Sequence, residues 1–339
     1  MTKISPLLSS QIFETIKNSH KILLHCHPFP DEDSVGSALA MYQALLGLGK
    51  KAVVISGDSD ALKNLSFLPG FKEIEEKNFF EVNLEEFDLF IILDSASPEM
   101  ISQLNKVTFP SNLKTIVIDH HDSNSGFGDI NLIDSSYPAT CQILYDLFKE
   151  WGITITPEIA ACLLAGIYAD TGGFQYDKTS LETLEVTCFL ARLYPDFRKV
   201  FQATRKKLNK EILKLRSLAY NNLEILFDGQ VVISEITLKD LEKSGVDKKI
   251  ISLNNVSDEL QLVADWKIVI TLIEKEEKII KVSLRAQEDV GVDLSQLAAL
   301  LGGGGHKLAA GAVVKKSLEE TKNIILENLS KLYPWLAKK

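Results

Sequence analysis

Four short apolar runs, each stopping at a polar residue, constrain this chain more than anything else in it. They are KILLHCH (Lys21–His27), KAVVIS (Lys51–Ser56), DLFIILD (Asp88–Asp94) and KTIVID (Lys114–Asp119). A strand that is apolar at nearly every position needs cover on both faces, as the strands of a parallel sheet have. Between the first two runs, Ser34 to Gly49 carries apolar residues at helical spacing, with Gly47 and Gly49 at its stop. Strand, helix and strand in repetition predict an α/β fold built on an open parallel sheet. Further helices are predicted at Ala139–Trp151, Pro157–Tyr168 and Ser180–Tyr194. The first twenty residues lack the apolar stretch of a leader and read as an amphipathic helix.

The pattern changes after the middle of the chain. Asp196–Tyr220 is rich in Lys and Arg and reads as a charged helical connector, with Arg205-Lys206-Lys207 as a solvated helix face. From Leu223 the strands lengthen, and Phe227-Asp228-Gly229-Gln230 and Glu274–Lys278 are hairpin signals. Helices are predicted around Leu294–Leu301 and Leu318–Leu332. The expected domains are residues 1–205, a helical linker 206–222, and a smaller α+β domain 223–339.

Charge limits the partners. With 37 Lys+Arg against 46 Asp+Glu, the net charge is -9, and such a field repels a long nucleic acid. A small anion stays within reach where a few groups or a metal reverse the sign locally. No run approaches the ~18 apolar residues of a membrane span. Cys26, Cys141, Cys162 and Cys188 are far apart in apolar surroundings, so we expect reduced core thiols and a cytoplasmic protein.

The ends of the apolar runs carry the chemistry. The first leads into His27-Pro28-Phe29-Pro30-Asp31-Glu32-Asp33; Asp94 ends the third, and Asp119-His120-His121 ends the fourth. Asp170 closes a later helical run in AGIYADTGGF. Alone, each acid reads as readily as a helix cap or turn residue. Together they differ, because four of only six histidines (His25, His27, His120, His121) fall in or beside these segments. Ligands in open α/β sheets sit at the carboxyl ends of strands. So many converging carboxylates would repel one another without cations, and a binuclear hard-metal centre is the preferred reading. A second signal is GGGGHKLAAG, Gly302 to Gly311. It lies between an apolar helix and an Ala-rich segment, unlike a polar linker, and reads as an anion cradle at a helix start. Arg285, ending IIKVSLRA, is either a phosphate fork or a surface arginine.

HPFPDEDSVGS, the Asp94 strand end, Asp119-His120-His121, ADTGGF and GGGGHKLAAG resemble, in order, the motifs of the DHH phosphoesterase superfamily. The similarity runs from about Lys21 to Gly311 and is nearest to the branch of oligoribonucleases and 3′-phosphoadenosine 5′-phosphate (pAp) phosphatases. It implies a DHH domain, a DHH-associated substrate-binding domain and an active-site cleft between them. It also implies two divalent cations, Mn²⁺ with Mg²⁺ or Co²⁺ as alternatives. By this resemblance one ion is held by His27 and Asp31 and the other by Asp33, His120 and Asp170, with Asp94 bridging. Asp119 supports the histidines, and His121 approaches the phosphate. Arg285, Gly303, Gly304, Gly305 and His306 hold the other end of the substrate. Glu32 replaces the usual Gly, Ser95-Ala96-Ser97 replaces a stretch with Thr or Cys, and Ala286 stands where Ser is usual. No ligand position is lost.

The implied reaction is attack on phosphorus by a hydroxide that bridges the metals, with His121 or His306 protonating the leaving group. The expected substrates are short oligoribonucleotides and pAp, without long duplexes or a membrane; a homodimer is compatible. Two alternatives are a pApA or cyclic di-AMP phosphodiesterase and a nucleotide-binding regulator without turnover.

Overall fold

The computed structural model describes residues 4–59, 63–204, 210–247, 251 and 256–337. The chain divides into two units, residues 1–206 and 207–339. The Arg205-Lys206-Lys207 triplet lies outside the described residues.

The first unit is built on six parallel strands: β1 (Lys21–His25), β2 (Lys51–Ile55), β3 (Ile74–Glu75), β4 (Leu89–Leu93), β5 (Lys114–Asp119) and β6 (Ile130–Ile133). Their order is β3-β2-β1-β4-β5-β6. The four apolar runs are β1, β2, β4 and β5; the edge strands β3 and β6 are too short to stand out in sequence. The chain travels one way from β1 through β3 and the other way from β4 through β6. The loops after β1 and β4 therefore diverge, and the crevice between them is where such sheets take ligands.

Both sheet faces are covered, as the apolar runs require. On one face Ile22, Leu24, Ile91 and Ile116 pack against α1 (Pro6–Asn18), α2 (Glu32–Gly47), α3 (Thr140–Glu150) and α4 (Pro157–Asp170). On the other, Leu23, Phe90, Ile92 and Val117 meet Phe79, Phe87 and Ile101 from connecting segments. Pro157 and the Thr156 cap start α4. Helices α2 and α4 touch at glycines: a Cβ on Gly36 would lie 2.6 Å from the Cys162 carbonyl oxygen. α5 (Leu181–Leu193) and α6 (Phe197–Ala203) complete the unit. Three of the four cysteines are buried, but Cys188 is exposed, which corrects the expectation of four core thiols. It lies on α5, which buries only Thr183, Val186, Thr187 and Leu190, so apolar neighbours in sequence did not mean burial.

In the second unit the strands are β7 (Leu223–Leu226), β8 (Val231–Ile236), β9 (Ile268–Glu276), β10 (Ile279–Ala286), β11 (Gly304–Gly305) and β12 (Ala309–Val314). They form a mixed sheet in the order β11-β12-β10-β9-β8-β7, in which only β8 and β9 pair in parallel. Phe227, Asp228 and Gly229 take positive φ (51°, 53° and 90°) in the first hairpin, and Lys278 (57°) does so in the second. The helices are α7 (Lys210–Asn221), α8 (Leu238–Ser244), α9 (Val256–Leu260), α10 (Leu294–Leu300) and α11 (Leu318–Leu332). The connector is thus two helices, α6 and α7, and Leu215 and Ala219 of α7 are buried in this unit's core. One sheet face packs on α10 and α11. The other is covered over β8 and β9 by α7, α8 and α9; that cluster includes no residue of β10 or β12.

The glycine run differs from expectation. It follows the end of α10 and does not begin a helix. Gly302 (φ 76°) and Gly303 donate their N–H groups to Ala299 and Ala298 carbonyls, 3.0 and 2.8 Å, closing the helix. Gly304 and Gly305 then pair with Gly311 and Ala310. Donors already bound to a helix C-terminus do not make an N-terminal anion cradle. The Ala-rich segment after it is strand β12, unforeseen because Ala and Gly are poor strand formers. Among the described residues no helix is long and apolar enough to cross a membrane.

Candidate active site

The loops beyond β1, β4 and β5 and the end of α4 bring the predicted acids and histidines together. Asp31 caps α2: its Oδ1 accepts from the N–H groups of Asp33 and Ser34 at 3.0 and 2.9 Å. The cap leaves Oδ2 free to face His27 Nε2 at 3.7 Å. The local reading of Asp31 as a cap and the functional one are therefore both correct, one for each oxygen. Asp33, fully buried, caps a different helix. It accepts from Thr140 N (2.6 Å) and Cys141 N (3.0 Å) at the start of α3, over a hundred residues away in sequence.

Asp94 sits at the centre. Its Oδ2 lies 3.6 Å from His27 Nε2, and its Oδ1 lies 3.5 Å from His120 Nε2 and 3.7 Å from His121 Nδ1. Its backbone is left-handed (φ 52°), a conformation that Asp accepts better than most residues and that functional sites often hold. His120 Nε2 further faces Asp170 at 3.2 Å and Asp33 at 4.0 Å. Three groups of donor atoms result: His27 with Asp31 and Asp94, Asp33 with His120 and Asp170, and Asp94 with His120 and His121.

These donors surround common points more than they bond to one another. His120 Nε2 is buried without a hydrogen-bond partner among the described residues although three carboxylates lie within 4.0 Å. Oxygen and imidazole donors ~3 Å apart are what ligands ~2.1 Å from one cation present to each other. The cluster of Asp and His side chains could thus hold metal, and hard oxygens with imidazole suit Mn²⁺ or Mg²⁺.

Without a cation the electrostatics follow from burial and opposed charge. Burial alone would push His27 down, but the carboxylates of Asp31 and Asp94 outweigh it and hold the ring up to about 10. Burial likewise opposes charge on His120, and Asp170 and Asp94 raise it to about 11. Burial raises Asp33 well above the ordinary carboxylate range, and nearby Asp94 and Asp170 add to this. A cation takes neutral imidazole and ionised carboxylate, so loading releases protons.

Asp119 holds the neighbouring loop. Its Oδ1 accepts from His120 N at 2.9 Å and meets His121 Nδ1 at 2.8 Å, while Asn124 Nδ2 donates to Oδ2 at 2.7 Å. Fixing His121 through Nδ1 leaves its Nε2 free of that contact, and the Asp119 hydrogen bond raises its pKa. Asn124, Thr140 and the Tyr137 carbonyl, 3.4 Å from His120 Nδ1, escaped the sequence reading. Thr140 donates its Oγ1 to Asp94 at 3.2 Å. Uncharged residues in a loop and at a helix start carry no periodic signal.

His25 belongs to none of the three groups. It lies edge-on to Phe90 with ring centroids 5.3 Å apart, and its Nε2 is buried without a partner among the described residues. Burial pushes it from 6.5 down to about 3. As pH falls below 6.5 the unfolded chain takes the proton first, so stability is lost from 6.5 down towards 3, by ~1.4 kcal/mol per pH unit. Urea unfolding at pH 7 and about pH 5 should show a ~2 kcal/mol larger loss for the wild type than for His25→Leu. Equal losses would mean that His25 is not held neutral.

In the second unit, Arg285, Gly303, Gly304 and Gly305 line one cavity; His306 is exposed and does not line it. Arg285 Nε pairs with Asp258, and its Nη1 donates to the Leu284 carbonyl at 2.8 Å.

Comparison with known proteins agrees with this layout. The DHH family, N-terminal domain, matches residues 21–167, and the DHHA1 domain matches residues 228–332. A bifunctional oligoribonuclease and PAP phosphatase NrnA of Thermus thermophilus is 32% identical over 298 residues, 87% of this chain and 84% of that one. The protein of the same name from Bacillus subtilis is 28% identical over 335 residues, 96% and 99% of the two chains. The crystal structure of an exopolyphosphatase-related protein from Bacteroides fragilis shares the fold over 100% of both chains, with a TM-score of 0.79 and 23% identity.

Proposed function

The chain belongs to the DHH family, and from that membership and its acid–histidine cluster we propose a metal-dependent phosphohydrolase. Its substrates on this reading are short oligoribonucleotides, cleaved to mononucleotides, and pAp, from which it removes a phosphate. The observation that carries the proposal is Asp94, whose two oxygens face two different histidine groups, 3.6 Å from His27 and 3.5 Å from His120. A shared carboxylate of this kind suits a pair of cations, for which Mn²⁺ is our choice. The oligoribonuclease and PAP phosphatase names of the similar proteins support the substrates.

When bound, two such ions would acidify a water and neutralise charge on the phosphoryl oxygens. The rest falls to the chain's own residues. His27 and Asp31 would hold one ion and Asp33, His120 and Asp170 the other, with Asp94 facing both groups. Asp33 is fixed by two α3 backbone donors and His120 by the Tyr137 carbonyl, so the donor geometry is set before substrate arrives. His121, oriented by Asp119, keeps a proton at Nε2 for the leaving alkoxide. In the second unit, Arg285, Gly303, Gly304 and Gly305, which line one cavity, are assigned to substrate binding.

A turnover panel of pAp, pApA, RNA of two to five nucleotides, cyclic di-AMP and pyrophosphate tests the reading. With Mn²⁺ we expect phosphate from pAp and mononucleotides from the short RNAs, and no product in EDTA. Turnover confined to pApA or cyclic di-AMP would replace the substrate assignment. Binding with no turnover in Mn²⁺ would make the protein a regulator.

A further inference from the structure

Segment 137–141 supplies no predicted ligand, yet it touches three of them. The Tyr137 carbonyl faces His120 Nδ1 at 3.4 Å. The Thr140 hydroxyl donates to Asp94 at 3.2 Å, and the N–H groups of Thr140 and Cys141 donate to Asp33 at 2.6 and 3.0 Å. A carbonyl only accepts, so its bond to His120 puts the proton on Nδ1 and leaves the Nε2 lone pair for a cation. Asp33 and His120 form one donor group with Asp170. The placement of this segment therefore bears on that group. None of these bonds reaches His27 or Asp31.

A side chain helps to hold the segment. Ala139, the cap residue of α3, is extended (φ -156°) and gives the first turn no side-chain hydrogen bond. Asp33 takes that place from α2, but it also belongs to the donor group. Tyr137 supplies a second hold. Its ring is buried in the core of the unit, and its hydroxyl donates to Asp146 Oδ2 at 2.7 Å. Asp146 lies six residues beyond Thr140 on α3, ~9 Å along the axis. The loop is thus folded back and tied to the flank of the helix that it starts. One residue reaches Asp146 with its hydroxyl and His120 with its carbonyl. Tyr137 and Asp146 also line a cavity of about 480 Å³ with Ile4, Pro6 and Glu150. Water entering there can solvate the Asp146 carboxylate when the hydroxyl is removed, so losing the bond need not unfold the unit.

We propose that Tyr137 and Asp146 are positioning residues for one of the two ions. Their hydrogen bond sets segment 137–141 against His120 and Asp33. It thereby tunes the affinity of the cation at Asp33, His120 and Asp170, and leaves the one at His27 and Asp31 unaffected. This rests on the paired-cation reading above and adds to it two residues that are not themselves ligands.

Calorimetric titration of the full chain with Mn²⁺ tests it in two backgrounds. Asp31→Asn takes a charge from the His27 group and leaves the group of Asp33, His120 and Asp170 intact; Asp170→Asn does the reverse. Adding Tyr137→Phe to Asp31→Asn should weaken Mn²⁺ binding ~10-fold, and adding it to Asp170→Asn should change the affinity by less than about threefold. Asp146→Asn keeps an acceptor for the hydroxyl and should stay within about threefold of its parent in both backgrounds. An effect of Tyr137→Phe below about threefold in the Asp31→Asn background overturns the proposal. So does an equal loss in both backgrounds, which would be a general loosening of the unit. Should Tyr137→Phe fail to fold, Asp146→Ala removes the acceptor, keeps the ring and is judged by the same ratios. Mn²⁺ bound in both backgrounds with no effect of Tyr137→Phe ends the tether and keeps the paired-cation reading. A wild type that binds no Mn²⁺ ends that reading, and the tether falls with it.

Discussion

Asp94→Asn is expected to lower kcat/KM for pAp and for dinucleotide RNA on the order of 10³-fold or more. The substitution keeps size and shape and removes only the charge. Asn also tolerates the left-handed backbone (φ 52°) at this position, so strain is not introduced. Asp31, Asp33 and Asp170 remain to face the histidines, and cooperative unfolding should persist. The loss comes from position: the carboxylate faces both histidine groups, and its neutral amide would weaken both at once. Elemental analysis should find less Mn²⁺ per chain in the variant than in the wild type. Near-normal activity with full metal content would remove Asp94 from the centre and, with it, the paired-cation reading.

Gly166→Ala should be strongly destabilising. Gly166 lies on α4 where it crosses α2, and an added Cβ would sit 2.2 Å from Asp33 Oδ1 and 2.5 Å from Cys141 Sγ. Both are side-chain ends, but the Asp33 Cα lies behind them at 2.9 Å and the carboxylate is not free to yield. Asp33 is pinned between α2 and the first turn of α3, where Thr140 N and Cys141 N hold its carboxylate. Moving it strips two buried N–H groups of their acceptor and displaces a candidate ligand. We expect a loss of about 3 kcal/mol in urea unfolding, from overpacking together with the unpaired donors. Activity should fall even in the fraction that remains folded. Gly47→Ala is the contrast: nothing lies within 4 Å of that Cβ at the end of α2, and a gain of up to ~0.5–1 kcal/mol is expected. Similar stabilities for the two variants would mean that α2 and α4 do not approach as closely as described.

Both results turn on contacts that no local pattern announces. The apolar runs, the helix after β1 and the hairpin turns were legible because each is written in consecutive residues. Periodicity and turn chemistry need nothing from the rest of the chain. The ends of β1, β4 and β5 were legible as candidate ligands for the same reason, since a parallel sheet brings its carboxyl ends to one side. The errors are also local in origin. GGGGHKLAAG reads as a helix start on residue type alone, but Gly302 closes α10 and its neighbours enter the sheet. His25 and His27 are two residues apart, and only His27 is a predicted ligand. Pleating sends His25 to the Phe90 side of the sheet, while His27, beyond the end of β1, faces Asp94.

By itself, then, the sequence determined a parallel α/β unit followed by a second, strand-rich unit, and an inventory of acids and histidines at strand ends. Only the tertiary structure decided how that inventory divides. It turned one Asp31 oxygen to a cap and the other to His27, tied Asp33 to α3, left His25 against Phe90, and paired Arg285 with Asp258. Those outcomes depend on distances between residues far apart in the chain. Strand order, register and helix crossing set such distances through packing across the whole unit, and the side-chain pattern of any one segment does not contain them.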